Sequence, residues 1–284
     1  LTTICSNSAL GCPKKAMAED FHNTVLFLTG AAHGQGRAVA LAFARQGARV
    51  AAFDLERGLS YPGYELGSAE KLARLKIELE EAGGEALVFA GDVRDDRVVT
   101  AAVEATIAAW GRIDVLFNNA GISAYGLSHE LTEDQWDAML DTNLKGPWLV
   151  GRRVIPHLIA QKSGVIINNS SVAGLRGFRR LSHYCASKWG LTGLTKAWAL
   201  ELAPYNVRVV SLHPTGVNTP MNDGLAFLEG TTPTEIATRS ASNLLDVPWI
   251  ETEDVVEAVL YLASSKARFM TGSEFILDAG LLTV

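Results

Sequence analysis

Short apolar runs alternate with longer amphipathic stretches along most of the chain. Val25-Leu26-Phe27-Leu28 is uninterrupted apolar sequence, as in a strand buried on both faces of a parallel sheet. It leads into the turn Thr29-Gly30-Ala31-Ala32-His33-Gly34-Gln35-Gly36, then into a helically spaced segment, Arg37 to Ala44, closed by Gly47. The same alternation recurs. Ala48 to Asp54 reads as a second strand, and Ser68 caps a helix through about Ala82. Ala86 to Ala90 is a third strand, leading to Gly91-Asp92-Val93 before a helix from about Asp96 to Trp110. Ile113 to Phe117 is a fourth strand, ending in Asn118-Asn119-Ala120-Gly121. Thr132 and Gln135 form a capping box for a helix carrying Trp136, Met139, Leu140 and then Asn143.

Gly164 to Asn169 is a fifth strand tipped by Ser170-Ser171, followed by a loop from Gly174 to His183 and a helix from Tyr184 to about Ala203. Val207 to Leu212 is a sixth strand, running into His213-Pro214-Thr215-Gly216-Val217-Asn218-Thr219-Pro220-Met221. Regular patterning lapses from Asn222 to Trp249. A helix restarts at Thr252 and reaches about Leu262, and Glu274 to Asp278 is a seventh strand. Strands alternating with helices predict an α/β fold: one doubly wound, Rossmann-type, seven-stranded parallel sheet with helices on both faces. The expected domain is residues 21–284, with a substrate loop over about 217–250. Residues 1–20 read as a loosely ordered extension.

Composition narrows the function. A formal charge of −6, which no lysine or arginine cluster contradicts, argues against a nucleic-acid-binding face. No apolar run is long enough to span a membrane. Cys5, Cys12 and Cys185 make no disulfide framework, no metal site is expected, and the count suits a reducing cytoplasm.

The candidate chemistry lies at strand ends. The glycines after the first strand allow a tight turn and let a pyrophosphate approach a helix N-terminus. Asp54 ends the second strand, where a carboxylate can accept hydrogen bonds from both hydroxyls of an adenosine ribose and repel a 2′-phosphate. Neither His33 nor Leu55 offers a cation to offset that repulsion, so NAD is favoured over NADP. Asp92 either meets the adenine edge or caps the following helix. The paired asparagines at 118 and 119 can tie neighbouring strands together. Tyr184 and Lys188, four apart, share a helix face, and an ammonium beside a phenol favours the phenolate. Such a tyrosine can exchange a proton with an alcohol.

Five of these pieces, in order, resemble the short-chain dehydrogenase/reductase family: Thr29-Gly30…Gly34-Gln35-Gly36, Asn118 to Gly121, Asn143, Ser171 and Tyr184…Lys188. The resemblance implies Tyr184 as acid/base, Lys188 as its electrostatic partner and holder of the nicotinamide ribose, and Ser171 as the hydroxyl that positions the substrate oxygen. It implies Asn143 as the holder of a water linking the lysine to solvent. It also implies cofactor contacts from Gly30, His33, Gly34, Gln35, Gly36, Asp54, Leu55, Asp92, Val93, Asn119, Ala120, Gly121, Pro214, Gly216, Val217 and Thr219. Pro214-Thr215-Gly216 in place of the usual Pro-Gly, together with an inserted loop from Gly58 to Gly67, is similar to the carveol-dehydrogenase-like branch. That branch includes mycofactocin-associated members that hold NAD tightly. The inserted loop is expected either to cover the adenosine side of the cofactor or to elaborate the surface.

The expected substrate wall comprises Ser123, Tyr125, Phe178, Met221 and Trp249, with Leu175, His183, Leu225, Phe227 and Leu228 nearby. It suits a hydrophobic secondary alcohol or ketone, cyclic or terpenoid. A steroid, an aromatic dihydrodiol, or a non-catalytic dinucleotide sensor are the alternatives. Arg176, Arg179 and Arg180 read as solvated or at a subunit contact. The apolar helix faces around 136–150 and 184–202 resemble the family's dimer contacts and imply a homotetramer.

Overall fold

Seven strands form one parallel sheet: β1 (Val25–Thr29), β2 (Arg49–Asp54), β3 (Ala86–Ala90), β4 (Val115–Asn118), β5 (Gly164–Asn169), β6 (Val207–Pro214) and β7 (Glu274–Leu277). The structure, a computed structural model, describes residues 21–64, 66–240 and 243–283. The expected extension over 1–20 and two of the cysteines, Cys5 and Cys12, lie outside the described residues. Sheet order is β3-β2-β1-β4-β5-β6-β7. The chain winds outward from β1 to β3, then returns to the other side of β1. The crevice at this reversal, outside the strands' carboxyl ends, is where such sheets take ligands.

Side chains alternate across the strands, and β1, β2, β4, β5 and β6 are buried on both faces. Leu26 and Leu28 pack with Val39 and Phe43 of α1 (Gly34–Arg45), Leu75 and Leu79 of α2 (Ala69–Glu81), and Val255, Val259 and Leu262 of α9 (Thr252–Ala263). Val25 and Phe27 pack on the opposite face. Their partners there are Val99 and Val103 of α3 (Asp96–Trp110), Val150, Val154 and Leu158 of α5 (Gly146–Gln161), and Trp198 and Leu202 of α6 (Ser182–Leu202).

Several boundaries differ from expectation for identifiable reasons. The segment with Asn143 is not one helix. α4 (Glu133–Leu140) passes through a π-helical turn, Asp141–Lys145, before α5, and Asn143 sits in that widened turn. Ser68 does cap α2, and Thr132 and Gln135 make the reciprocal box that opens α4. α3 is capped by Asp95, whose carboxylate accepts from the Arg97 N–H, and not by Asp92. The stretch expected to lack regular structure contains α7 (Pro220–Leu228) and α8 (Pro233–Ser240). Extended Thr219 followed by Pro220 at the first helical position starts α7, where the missing proline N–H costs nothing. Residues 217–250 are closed at their base by main-chain bonds, Ile250 N–H to Gly216 at 3.0 Å and Asn218 N–H to Ile250 at 2.9 Å.

Phe27 is fully buried in the sheet's centre. Phe27→Ala should destabilise the fold by about 3–5 kcal/mol, read as a lowered denaturation midpoint. A loss below about 1 kcal/mol would contradict this packing.

Candidate active site

The carboxyl ends of the strands open into one cleft of about 880 Å³. At one end Gly30 and Gly34 take left-handed backbone, φ +71° and +54°, which the tight turn after β1 requires. Gly36 lies outside the cleft's lining. A Cβ there would come within 1.9 Å of the Gly30 carbonyl oxygen, so this glycine permits the close turn. The Asn119 side chain donates to the carbonyls of Thr29 and Gly30, both at 3.0 Å, and Asn118 donates to Asn168 at 2.8 Å. The paired amides thus tie β4 to β1 and β5, as their position after a buried strand suggests.

Asp54 is buried at the tip of β2 and accepts the N–H groups of Ala32 and Leu55, both at 2.6 Å. Two bonds leave further lone pairs for ribose hydroxyls. Burial pushes its carboxyl up, opposed first by the Ala32 N–H. Asp92 lines the cleft but is gripped by Arg94, whose Nη2 lies 2.6 Å away. His33, Gln35, Leu55, Val93, Ala120 and Gly121 complete this half. Two buried polar atoms of lining residues, Thr142 Oγ1 and Asn169 Oδ1, have no hydrogen-bond partner among the described residues. A long cleft with a carboxylate at one end and unsatisfied polar atoms along its wall fits a dinucleotide.

The other half brings Ser171, Tyr184 and Lys188 together. The Ser171 hydroxyl stands close enough to the Tyr184 phenol to favour its ionised form, and Lys188 Nζ lies 5.7 Å from the Tyr184 ring centroid. Lys188 is buried and donates to the Asn169 carbonyl at 2.7 Å. Asn143 does not line the cleft. Its amide is committed to the Ile122 backbone, accepting from N–H at 2.8 Å and donating to C=O at 2.9 Å, which fixes the segment beside Gly121. Burial pushes the Tyr184 phenol up to about 12, against the pull of Ser171. Burial likewise pulls the Lys188 ammonium down to about 8. In the protein alone, desolvation therefore outweighs the phenolate-favouring pairing expected from the sequence.

Ser123, Tyr125, Phe178, Met221, Leu225 and Trp249 line the substrate half, and Pro214, Gly216, Val217 and Thr219 lie along its edge. Leu175, His183, Phe227 and Leu228 do not; Phe227 and Leu228 point to solvent. Arg176, Arg179 and Arg180 line it as well, and Arg179 and Arg180 are exposed, as expected of solvated side chains.

Three contributors were not evident from sequence. His213 is fully buried, with Nδ1 2.8 Å from the Ser171 carbonyl oxygen and Nε2 2.8 Å from Ser211 Oγ, so it fixes the Ser171 backbone. A histidine inside an apolar strand was the available signal. Tyr61 and Tyr64 come from the inserted loop. Their hydroxyls meet His183 Nε2 at 2.7 Å and accept the Ser123 N–H at 3.2 Å. Tyr64 packs with Leu66, Ile122 and Met139, and Tyr184 and Met221 pack against that cluster. The loop therefore starts at the adenosine end but docks on the catalytic side.

Residues 24–226 match the short chain dehydrogenase family. (-)-trans-Carveol dehydrogenase of Rhodococcus erythropolis is 42% identical over 266 residues, covering 90% of this chain and 96% of that protein. Trans-4-hydroxycyclohexanecarboxylate dehydrogenase of Sinomonas cyclohexanicum is 39% identical, covering 90% and 92%. The crystal structure of a carveol dehydrogenase from Mycobacterium avium in complex with NAD aligns with a TM-score of 0.89 at 32% identity, covering 93% of this chain and 99% of that one.

Two outcomes follow from these contacts. Below about pH 8 Lys188 is charged folded and unfolded, so the folded chain bears the full cost of burying it. Between about 8 and the ordinary 10.5 the unfolded chain binds more protons, and this cost is relieved as pH rises. The stability of Lys188→Met minus that of the parent, from denaturant titrations, should therefore decline across that window; a flat or rising difference would contradict the buried cation. Tyr64→Phe leaves the buried Ser123 N–H without its acceptor and should cost about 1–3 kcal/mol, with a lowered kcat/KM. Unchanged stability and kinetics would contradict the docked loop.

Proposed function

The chain belongs to the short-chain dehydrogenase family, and on that premise we propose that it interconverts a hydrophobic cyclic or terpenoid secondary alcohol and its ketone, with NAD as hydride carrier. The convergence of Ser171, Tyr184 and Lys188 on one wall of a cleft whose far end is Asp54 carries this reading. Asp54 would hold the adenosine ribose and disfavour a 2′-phosphate. The Lys71 ammonium bonds to the Leu66 carbonyl at 3.3 Å and does not line the cleft. Gly30 and Gly34 would admit the pyrophosphate beside the N-terminus of α1, and Val93 would flank adenine.

The nicotinamide, when bound, supplies the hydride chemistry. Ser171 orients the carbinol oxygen toward Tyr184. As a phenolate Tyr184 takes the carbinol proton in oxidation, and as a phenol it gives a proton to the oxygen in reduction. A phenol at about 12 needs roughly 7 kcal/mol to ionise near neutrality, so the ammonium alongside it matters most as that proton moves. Lys188 supplies the positive charge, held in place by the Asn169 carbonyl. The largely apolar wall of Phe178, Met221, Leu225 and Trp249 suits a cyclic carbon skeleton. Outside the cleft, Trp148 on α5 and Trp189 on α6 are 42% and 53% exposed, which supports a homotetramer built through those helix faces.

A screen of cyclic secondary alcohols with NAD, followed by nicotinamide absorbance, tests the reaction; a second arm supplies an artificial electron acceptor. Tyr184→Phe should lower turnover by about 10²–10⁴-fold while NAD affinity is retained. Near-normal turnover in that variant would refute the assignment.

A further inference from the structure

The loop between β5 and α6 carries three arginines within five residues, although the chain's net charge is −6. All three line the substrate half of the cleft. Two are fastened to the wall. Arg180 forms a two-pronged bond to Glu229, at 2.6 and 2.9 Å, and its guanidinium lies 5.4 Å from the Tyr125 ring centroid. Its backbone carbonyl accepts the Gly126 N–H at 2.8 Å. Arg176 donates Nη1 to the Leu281 carbonyl at 3.0 Å.

Arg179 stands between these anchors, exposed at the mouth of the cleft. Among the described residues no carboxylate pairs with it. The acidic side chains lining the cleft are Asp54, Asp92 and Glu229. Asp54 lies at the adenosine end, Asp92 is held by Arg94, and Glu229 is spent on Arg180. The substrate half therefore has an apolar floor, two hydroxyls in its depth, and an uncompensated guanidinium at its mouth.

From this arrangement we propose that Arg179 forms an anion subsite, and that the enzyme's preferred substrates are cyclic secondary alcohols bearing a carboxylate remote from the carbinol carbon. The inference rests on the alcohol-oxidising reading above and specifies its substrate class. With the carbinol at Ser171 and Tyr184, the ring lies along Phe178 and Trp249 and the carboxylate reaches the mouth. A guanidinium there presents its planar fork to both carboxylate oxygens. Because Arg179 is exposed, the contribution is moderate and sensitive to salt.

The test uses binding alone, so its failure is distinct from a failure of the oxidation reading. Cyclohexanecarboxylate lacks the carbinol hydroxyl and cannot react. It is titrated into the NADH-saturated protein beside its neutral methyl ester, with tryptophan fluorescence as readout because Trp249 lines the cleft. Arg179→Gln should weaken the acid about tenfold and the ester less than about twofold, and Arg179→Lys, which keeps the charge but loses the fork, should weaken the acid by an intermediate factor. Added salt should weaken only the acid. The proposal is overturned if Arg179→Gln leaves the acid's affinity unchanged, or weakens acid and ester equally.

Discussion

A lysine ammonium taken out of water is the constraint on which this site depends. Lys188 is buried, and the bond to the Asn169 carbonyl at 2.7 Å holds its charge in place without neutralising it. Neighbouring groups grip the same residue by its backbone: the Ser170 and Thr192 hydroxyls both donate to the Lys188 carbonyl. Tyr184 is also displaced, its phenol raised to about 12 where the ammonium is lowered to about 8. Each group is driven toward its neutral form by desolvation, although Lys188 is buried and Tyr184 keeps part of its surface in the cleft. A phenolate beside an ammonium relieves both costs together, which makes the pair more favourable than either charge alone.

The fold supplies the dryness and the register. Parallel strands buried on both faces bring Asn118, Asn169, Ser171 and Asp54 to one edge of the sheet. Asn143 in the π turn and Tyr64 in the inserted loop hold consecutive residues, Ile122 and Ser123, from two directions. The inserted loop joins the two ends of the cleft. Gly67 backs onto Asp54 and Leu55 so closely that a Cβ would lie 2.9 Å from the Asp54 carboxylate, while Tyr64 packs against Gly224 of α7.

Most of this was legible because local chemistry and global fold agree. Continuous apolar runs gave the strands, and caps at Ser68 and Thr132 gave helix starts. What escaped depended on contacts between distant segments. Nothing local signals that Asn143 lies in a π turn, or that Tyr61 reaches His183 across 122 positions of sequence. α7 was obscured because proline and glycine usually break helices, although Pro220 in fact begins one. The arginines at 176, 179 and 180 could not be assigned to the cleft before the loop's path was known. The Tyr184 and Lys188 shifts were illegible for a different reason: a four-residue spacing gives proximity, while the sign of a proton affinity depends on how much water the fold excludes.

The central claim is that ionisation of Tyr184 is suppressed by burial in the protein alone and favoured once the cleft is filled. Phenolate absorbance against pH, with the Tyr184→Phe spectrum subtracted, measures this directly in free and NAD-saturated protein. The account predicts no Tyr184 ionisation in the free protein below the ordinary tyrosine range, and a transition moved several pH units lower with NAD bound. The same transition in both states, or an already acidic phenol in the free protein, would contradict it.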